Sequence, residues 1–494
     1  MRAQSATYAL ATWGFLRALG LIYLAAFISL GLQVPGLIGR QGITPAAALL
    51  DDARSLFGRW RFLRVPTLAW AGSSDRMLLA LCWGGAALAL LLAAGIAPVV
   101  TLALSWACYL SLFNVSRLFL GYQWDALLLE TGFLAIWMAP ADWWPRWPPA
   151  DPPRPVLWLA WWLLFRLIFS SGVVKLRSGD PTWRHLTALA FHYETQPLPA
   201  PFAWFAHHAP LWMHKASCAA MFAIELAVPF LVFAPAPLCY AAGVLITLLM
   251  LGIMATGNYG FFNLLTIALS MLVFDDGAVR RVLRTEAVPA PTPASPAAAA
   301  AAMLLLVLSL RPVAHLFAPS VRWPKPLEAI FAWCEPWRLV SGYGLFAVMT
   351  TVRPEIVVEG SADGAVWKTY EFRWKPGDPM RRPRCCMPHQ PRLDWQMWFA
   401  ALADYRVYPW FIAFLGRLLE NAPSVVRLLR LNPFPAAPPR YVRAVLYRYR
   451  FTDAATRRRT GAWWERELLG LYCPVLTKAG SLAAAPRPIA FGAP

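Results

Sequence analysis

The sequence predicts an α-helical polytopic membrane protein with about nine transmembrane helices, followed by a C-terminal α+β extramembrane domain. Three observations carry that expectation. The 494-residue chain is 59% hydrophobic and only 14% charged, with a mean hydropathy of +0.47, too apolar for a water-soluble protein of this length. Largely apolar stretches recur up to about residue 315, and a run of about 18 such residues crosses a hydrocarbon core as a helix. Beyond Pro319 the pattern gives way to short alternating runs separated by turn signals. The apolar runs are continuous and do not alternate, which excludes a membrane β-barrel.

Taken in order, the expected spans cover residues 13–32, 77–97, 99–120, 124–140, 157–175, 216–233, 238–256, 261–274 and 297–310. The run 13–34 is long enough to cross and no convincing A-x-A cleavage site follows it, so it reads as the first span and not a removed signal. Residues 33–76 are amphipathic and Arg-rich, suited to the membrane interface. The loop 177–215, rich in Trp, His and Pro, is too long for a plain connector and reads as a cap over a site. Residues 287–302 are a Pro- and Ala-rich linker into the last span. The division is therefore a transmembrane domain, 1–318, and an extramembrane domain, 319–494. In the latter, 356–361 and 366–374 flank Asp363-Gly364 as a hairpin, 393–431 reads as two helices and 441–452 as a further strand.

The net charge of +19 suits nucleic acid only if the cations cluster, and here Lys and Arg are scattered among Trp and Pro. The expected partner is membrane lipid, with no nucleic acid. Cys82, Cys108, Cys218 and Cys239 fall in or beside apolar runs and read as buried thiols. Cys334, Cys385, Cys386 and Cys473 fall in the outer domain, where the adjacent pair is not a CxxC motif.

Charged side chains inside spans need a partner or a watery cavity. Asp125, Glu130, Arg166 and Glu225 are such residues, and Arg166 and Glu225, each central in its span, are expected to pair. Asp125 and Glu130 lie five apart, about 140° around a helix, so they serve different partners. Asn258 and Asn263 flank a break at membrane depth and suggest a cavity. Lys175 ends its span, where it either snorkels to the headgroups or acts as a desolvated base. Asp180, Trp183, Arg184, His192 and Tyr193 are candidate residues of the cap. The capping-loop histidines form no HExxH or comparable ligand pattern, so no metal and no cofactor are expected, and no G-x-S-x-G elbow appears. His389, Arg392, Asp394, Trp395 and Trp398 gather planar donors and aromatics into a candidate client-binding face.

Several unbroken blocks resemble the lipase maturation factor family. They are Gln123-Trp124-Asp125-Ala126-Leu127-Leu128-Leu129-Glu130, Ser171-Gly172-Val173-Val174-Lys175-Leu176 running into Ser178-Gly179-Asp180-Pro181-Thr182-Trp183-Arg184, His192-Tyr193-Glu194-Thr195-Gln196-Pro197-Leu198-Pro199, Thr256-Gly257-Asn258-Tyr259-Gly260-Phe261-Phe262-Asn263, and Pro388-His389-Gln390-Pro391-Arg392-Leu393-Asp394-Trp395. The resemblance implies a membrane-bound maturation factor assisting a secreted client such as a lipase. In eukaryotes such proteins sit in the endoplasmic reticulum membrane; the Ala-, Arg-, Trp- and Pro-rich composition here resembles a GC-rich bacterium, hence an inner membrane. A fainter similarity links the stretch ending at Lys175 to vitamin K-dependent glutamyl carboxylases. It implies the alternative of a membrane enzyme acting on a lipid or quinone-like substrate with Lys175 as base. Orientation has two readings. Arg40, Arg54, Arg59, Arg61, Arg64 and Arg76 would make the first loop and the C-terminal domain cytoplasmic, whereas the resemblance, which we follow, implies a cytoplasmic N-terminus and a C-terminal domain on the far side.

Overall fold

The computed structural model describes residues 6–284 and 295–478. Among the described residues, seven helices are long and apolar enough to cross a membrane: α1 (Ala9–Gly31), α2 (Asp75–Ala94), α3 (Pro98–Val115), α5 (Arg154–Arg177), α6 (Leu211–Leu226, continued by Val228–Leu231), α7 (Leu238–Thr256) and α9 (Pro296–Phe317). Between them lie two shorter ones, α4 (Gln123–Ile136) and α8 (Phe262–Met271), the latter bent by 105° into Asp276–Leu283. Prolines open α3, α5 and α9, where the missing N–H leaves nothing unsatisfied. The side chains of Ser74 and Ser295 accept backbone N–H groups at the starts of α2 and α9. Of the linker expected at 287–302, residues up to 294 lie outside the described set, and those from Pro296 onward already belong to α9.

The passes alternate in direction. Tyr8 N–H donates to Asp151, Leu10 N–H to Asp276, Ala97 N–H to Trp143 O, and Tyr240 Oη to Asp275. These contacts gather the starts of α1, α5 and α7, the turn between α2 and α3, the segment after α4 and the end of α8 at the N-terminal end of the body. At the opposite end, residues 33–76, 116–122 and the loop 177–215 meet the C-terminal domain. Of the nine spans that the sequence suggested, seven are long and apolar enough to cross among the described residues, or eight if the bent pair counts as one. Two of the nine use helices of only 14 and 10 residues, about 21 and 15 Å long at 1.5 Å per residue. These need not match a bilayer, because α4 is buried over most of its surface by protein.

The C-terminal domain is built on a four-stranded antiparallel sheet in the order β2-β1-β3-β4: β1 (Arg353–Ser361), β2 (Lys368–Tyr370), β3 (Tyr441–Phe451) and β4 (Trp464–Thr477). The expected hairpin is there, with Val358 opposite Tyr370. Asp363 accepts the N–H groups of Ala365 and Val366, while Gly364 adopts φ +81°, open to glycine at no steric penalty. Two helices, α11 (Arg392–Ala401) and α12 (Pro409–Leu419), pack on the sheet.

The boundary near residue 319 is less clean than the sequence implied. Helix α10 (Lys325–Cys334) turns back along the bundle, packing Phe331 and Cys334 against Leu308 of α9. Trp337 then stacks on Trp106 of α3, with ring centroids 6.4 Å apart and 7° between planes. Trp106 lies nine residues from the end of α3, so residues 325–343 re-enter the body before the sheet begins. A single buried cluster runs from Tyr8 through the spans to Cys473 of β4. The two parts therefore share one core.

Candidate functional site: the joint between body and sheet domain

Asp125 stands in the first turn of α4, where a carboxylate is favoured by the helix dipole. It accepts the Tyr109 hydroxyl at 2.5 Å and a bidentate pair of bonds from Arg392, at 2.5 and 2.7 Å. Arg392 opens α11 and also donates to Phe119 O at 3.0 Å. Both side chains of the pair are 0% exposed. A fork-to-fork pair sealed from water is strong in itself, and losing one partner strands a charge. Aromatic rings surround it: Tyr122 stacks on Trp124 at 4.7 Å, and Trp395 meets Trp124 edge-on at 4.8 Å.

This geometry corrects the outer-domain expectation. Arg392, Asp394, Trp395 and Trp398 do not form an exposed client-binding face; all four are buried. The carboxylate of Asp394 accepts the backbone N–H groups of Trp374 and Lys375; burial nonetheless raises its pKa above the ordinary aspartate range. Trp398 Nε1 donates to Thr195 O of the capping loop at 2.8 Å. His389 Nδ1 lies 2.9 Å from Ser29 Oγ at the end of α1. Burial first, then Arg392 and Arg373, push His389 down to about 4, so the ring is neutral. Planar donors beside aromatics are common to interface anchors and to buried joints, and here they make a joint.

Other blocks converge on the same seam. Gln33 Nε2 donates to Gln390 O, and Arg392 N–H donates to Gln33 Oε1. Asn258 donates to Leu198 O, Pro199 O and Arg384 O and accepts Cys386 N–H, tying the break after α7 to both the cap and the outer domain. Asn263 instead donates to Met250 O within the body. From β1, Arg353 reaches the carbonyls of Glu194, Gln196 and Pro197 in the cap and pairs with Glu355, which also meets Lys375 at 2.8 Å. In the cap, Asp180 accepts Met349 N–H at 2.6 Å. Burial raises its pKa, but that bond and those from Thr182 outweigh it and leave the pKa lowered. Trp183 Nε1 donates to Phe346 O, and Tyr259 Oη lies 3.1 Å from His192 Nε2. Burial and Lys175 push His192 down to about 4. Tyr193 packs against His214, and Arg184 remains exposed.

Inside the body the expected Arg166–Glu225 pair is not formed. Arg166 pairs with Glu130, whose second oxygen accepts Ser341 N–H at 2.8 Å and Tyr343 Oη at 2.6 Å. Glu130 thus fastens the re-entrant segment, and Asp125 serves the seam, so the two carboxylates have different partners. Glu225 belongs to Lys175, whose Nζ lies 2.7 and 2.8 Å from its two oxygens and 3.2 Å from Ser171 O. An ammonium has three N–H donors, and these three acceptors match them. Lys175 is 5% exposed, so it does not snorkel. Sequence reasoning missed Tyr109, Tyr343 and the Arg353–Glu355 pair; opposite charges two apart on one strand face were the available signal for the last. Among the described residues, no three His, Cys, Asp or Glu side chains gather as a metal site.

The fold and the seam define a polytopic membrane protein whose sheet domain is clamped onto one end of its helical body by buried charge. The chain belongs to the lipase maturation factor family: it matches the lipase maturation factor transmembrane domain over residues 10–281 and the lipase maturation factor C-terminal domain over 339–474. It is 36% identical to lipase maturation factor 2 of Gallus gallus, covering 94% of this chain and 81% of that protein. It is likewise 36% identical to lipase maturation factor 1 of Bos taurus (97% and 91%) and of Homo sapiens (94% and 87%). No solved structure matches.

Proposed function

We propose that this protein is a membrane-bound maturation factor that helps a secreted client, of the lipase class, reach its active form. The observation carrying this reading is the seam: blocks from both halves of the chain are spent on joining them, as expected if body and sheet domain work as one unit. Relatives named as lipase maturation factors align over both halves. The protein resides in a bacterial inner membrane with the sheet domain on the periplasmic side, where an exported enzyme is met. Client contact falls to exposed surface of that domain, not to the buried Arg392 and Trp395. The reading of Lys175 as a base is not favoured, because its ammonium is held by Glu225 and Ser171 O.

The test is deletion of the gene followed by comparison of exported proteins and lipase activity in the medium. Loss of activity of one exported enzyme, with its transcript unchanged and rescue by the intact gene, is the expected result. An unchanged set of exported activities contradicts the proposal. Fusion of alkaline phosphatase to the C-terminus tests the orientation: an active fusion is expected, and an inactive one reverses it.

A further inference from the structure

Arg17 sits two turns into α1, level with Gly95, the left-handed residue that closes α2. At Gly95 the φ is +84°, and a Cβ there would stand 1.9 Å from Arg17 Nη2. Only a bare backbone lets the guanidinium lie where it does. It also lies over the face of Trp13, at 4.7 Å, and among the described residues no acceptor meets its N–H groups. The loop after α4 forms a roof, held by the bond from Ala97 N–H to Trp143 O at 2.9 Å. Beneath it lies a pocket of about 30 Å³ lined by Trp13, Arg17, Gly95, Asp142, Trp144 and Arg146, among others.

We propose that this pocket binds the phosphate of an anionic phospholipid headgroup. Five N–H donors that no described protein group accepts, half-buried at the end of a membrane-spanning body, suit an oxygen-rich anion. Two guanidiniums face one carboxylate there, so the pocket favours negative charge. Its volume admits a few oxygen-sized groups, which fits phosphate oxygens entering while the glycerol and acyl chains stay outside. Trp143, Trp144 and Trp147 are 69%, 74% and 56% exposed at the same end, the belt by which membrane proteins meet headgroups. Trp147 meets Trp13 edge-on at 5.9 Å, joining that belt to the pocket wall.

The test uses the full chain purified in neutral detergent and titrated with phosphatidylglycerol, phosphatidylcholine or inorganic phosphate, with bound lipid counted by native mass spectrometry. Phosphatidylglycerol is expected to bind more tightly than phosphatidylcholine. Arg17→Gln and Arg146→Gln are each expected to weaken it about fivefold, the worth of one basic contact at an anionic membrane surface. Asp142→Asn is expected to tighten it. Arg146 is exposed, so its variant reports on binding even if Arg17→Gln folds poorly. Equal binding by the Arg146 variant and the parent overturns the proposal. So does Asp142→Asn that binds no better, since an anion held in this pocket would be relieved of the repulsion of that carboxylate. Displacement of the lipid by inorganic phosphate at matched concentration would make this a free-anion site and overturn the lipid assignment.

Discussion

Lys175–Glu225 and Asp125–Arg392 are both buried ion pairs, but they join different things. The first links α5 to α6, 50 residues apart, and holds helix to helix within the body. The second spans 267 positions and holds the sheet domain to the body. The first is a local brace, while the second decides whether two halves of the chain behave as one. Charge buried in a membrane body is thus not in itself a sign of catalysis; what matters is which elements the partners belong to and whether any proton or acceptor is left over.

The comparison is broken most severely at the seam. Arg353→Met removes the donor to three cap carbonyls and one partner of Glu355, and should destabilise the protein by about 4 kcal/mol, read as thermal unfolding in detergent. A change under about 1 kcal/mol would mean that the cap is held by other contacts. Next comes the brace: Glu225→Ala strands the Lys175 ammonium and should cost about 3 kcal/mol, whereas Lys175→Met with Glu225→Met should be milder. If Lys175→Met abolishes client maturation at normal stability and abundance, Lys175 has a chemical role after all. A smaller effect is expected in the body at Gly132, where a Cβ would lie 1.9 Å from Tyr23 Oη. Gly132→Ala should destabilise by about 2 kcal/mol through overpacking, and Gly132→Ala combined with Tyr23→Phe should recover part of it.

The smallest effect is one of pH. His192 is pushed from 6.5 to about 4, so the fold favours the neutral ring. Its contribution is complete above about pH 6.5 and is lost as pH falls toward 4, since the unfolded chain binds the proton first. At pH 6 the loss is about 1 kcal/mol. His192→Gln should flatten the decline of stability between pH 6.5 and 4; an unchanged slope would assign it to other groups, His389 and His207 among them.

Seven of the nine expected spans were legible because an apolar run and its length determine a crossing on their own. The hairpin was legible because Asp363-Gly364 supplies its turn locally. The partner of Arg166 was not, since pairing in a bundle depends on which helices are neighbours, and Glu130 comes from α4; Glu225 does meet α5, but at Lys175 and not at Arg166, because the level at which two helices meet is not written in either run. Arg392 and Trp395 were misjudged because buried joints and exposed interfaces draw on the same residue types. Strand β4 escaped notice for a physical reason. Register shifts interrupt its pairing with β3, and Glu465, Leu468 and Leu469 are all exposed on this edge strand, so no two-residue alternation survives. The re-entrant residues 325–343 were assigned to the outer domain because a short helix with Lys325 and Glu328 lacks the apolar length of a span.

The most direct test of the clamp is a double-mutant cycle on Asp125 and Arg392, using Asp125→Ala, Arg392→Met and both together in the full chain. Each single change should cost about 3 to 5 kcal/mol in thermal unfolding, and the double should cost clearly less than the sum, with a coupling of about 2 kcal/mol or more. Additivity within about 0.5 kcal/mol would mean that the two residues do not act as a pair, and would contradict a sheet domain locked to the membrane body through them.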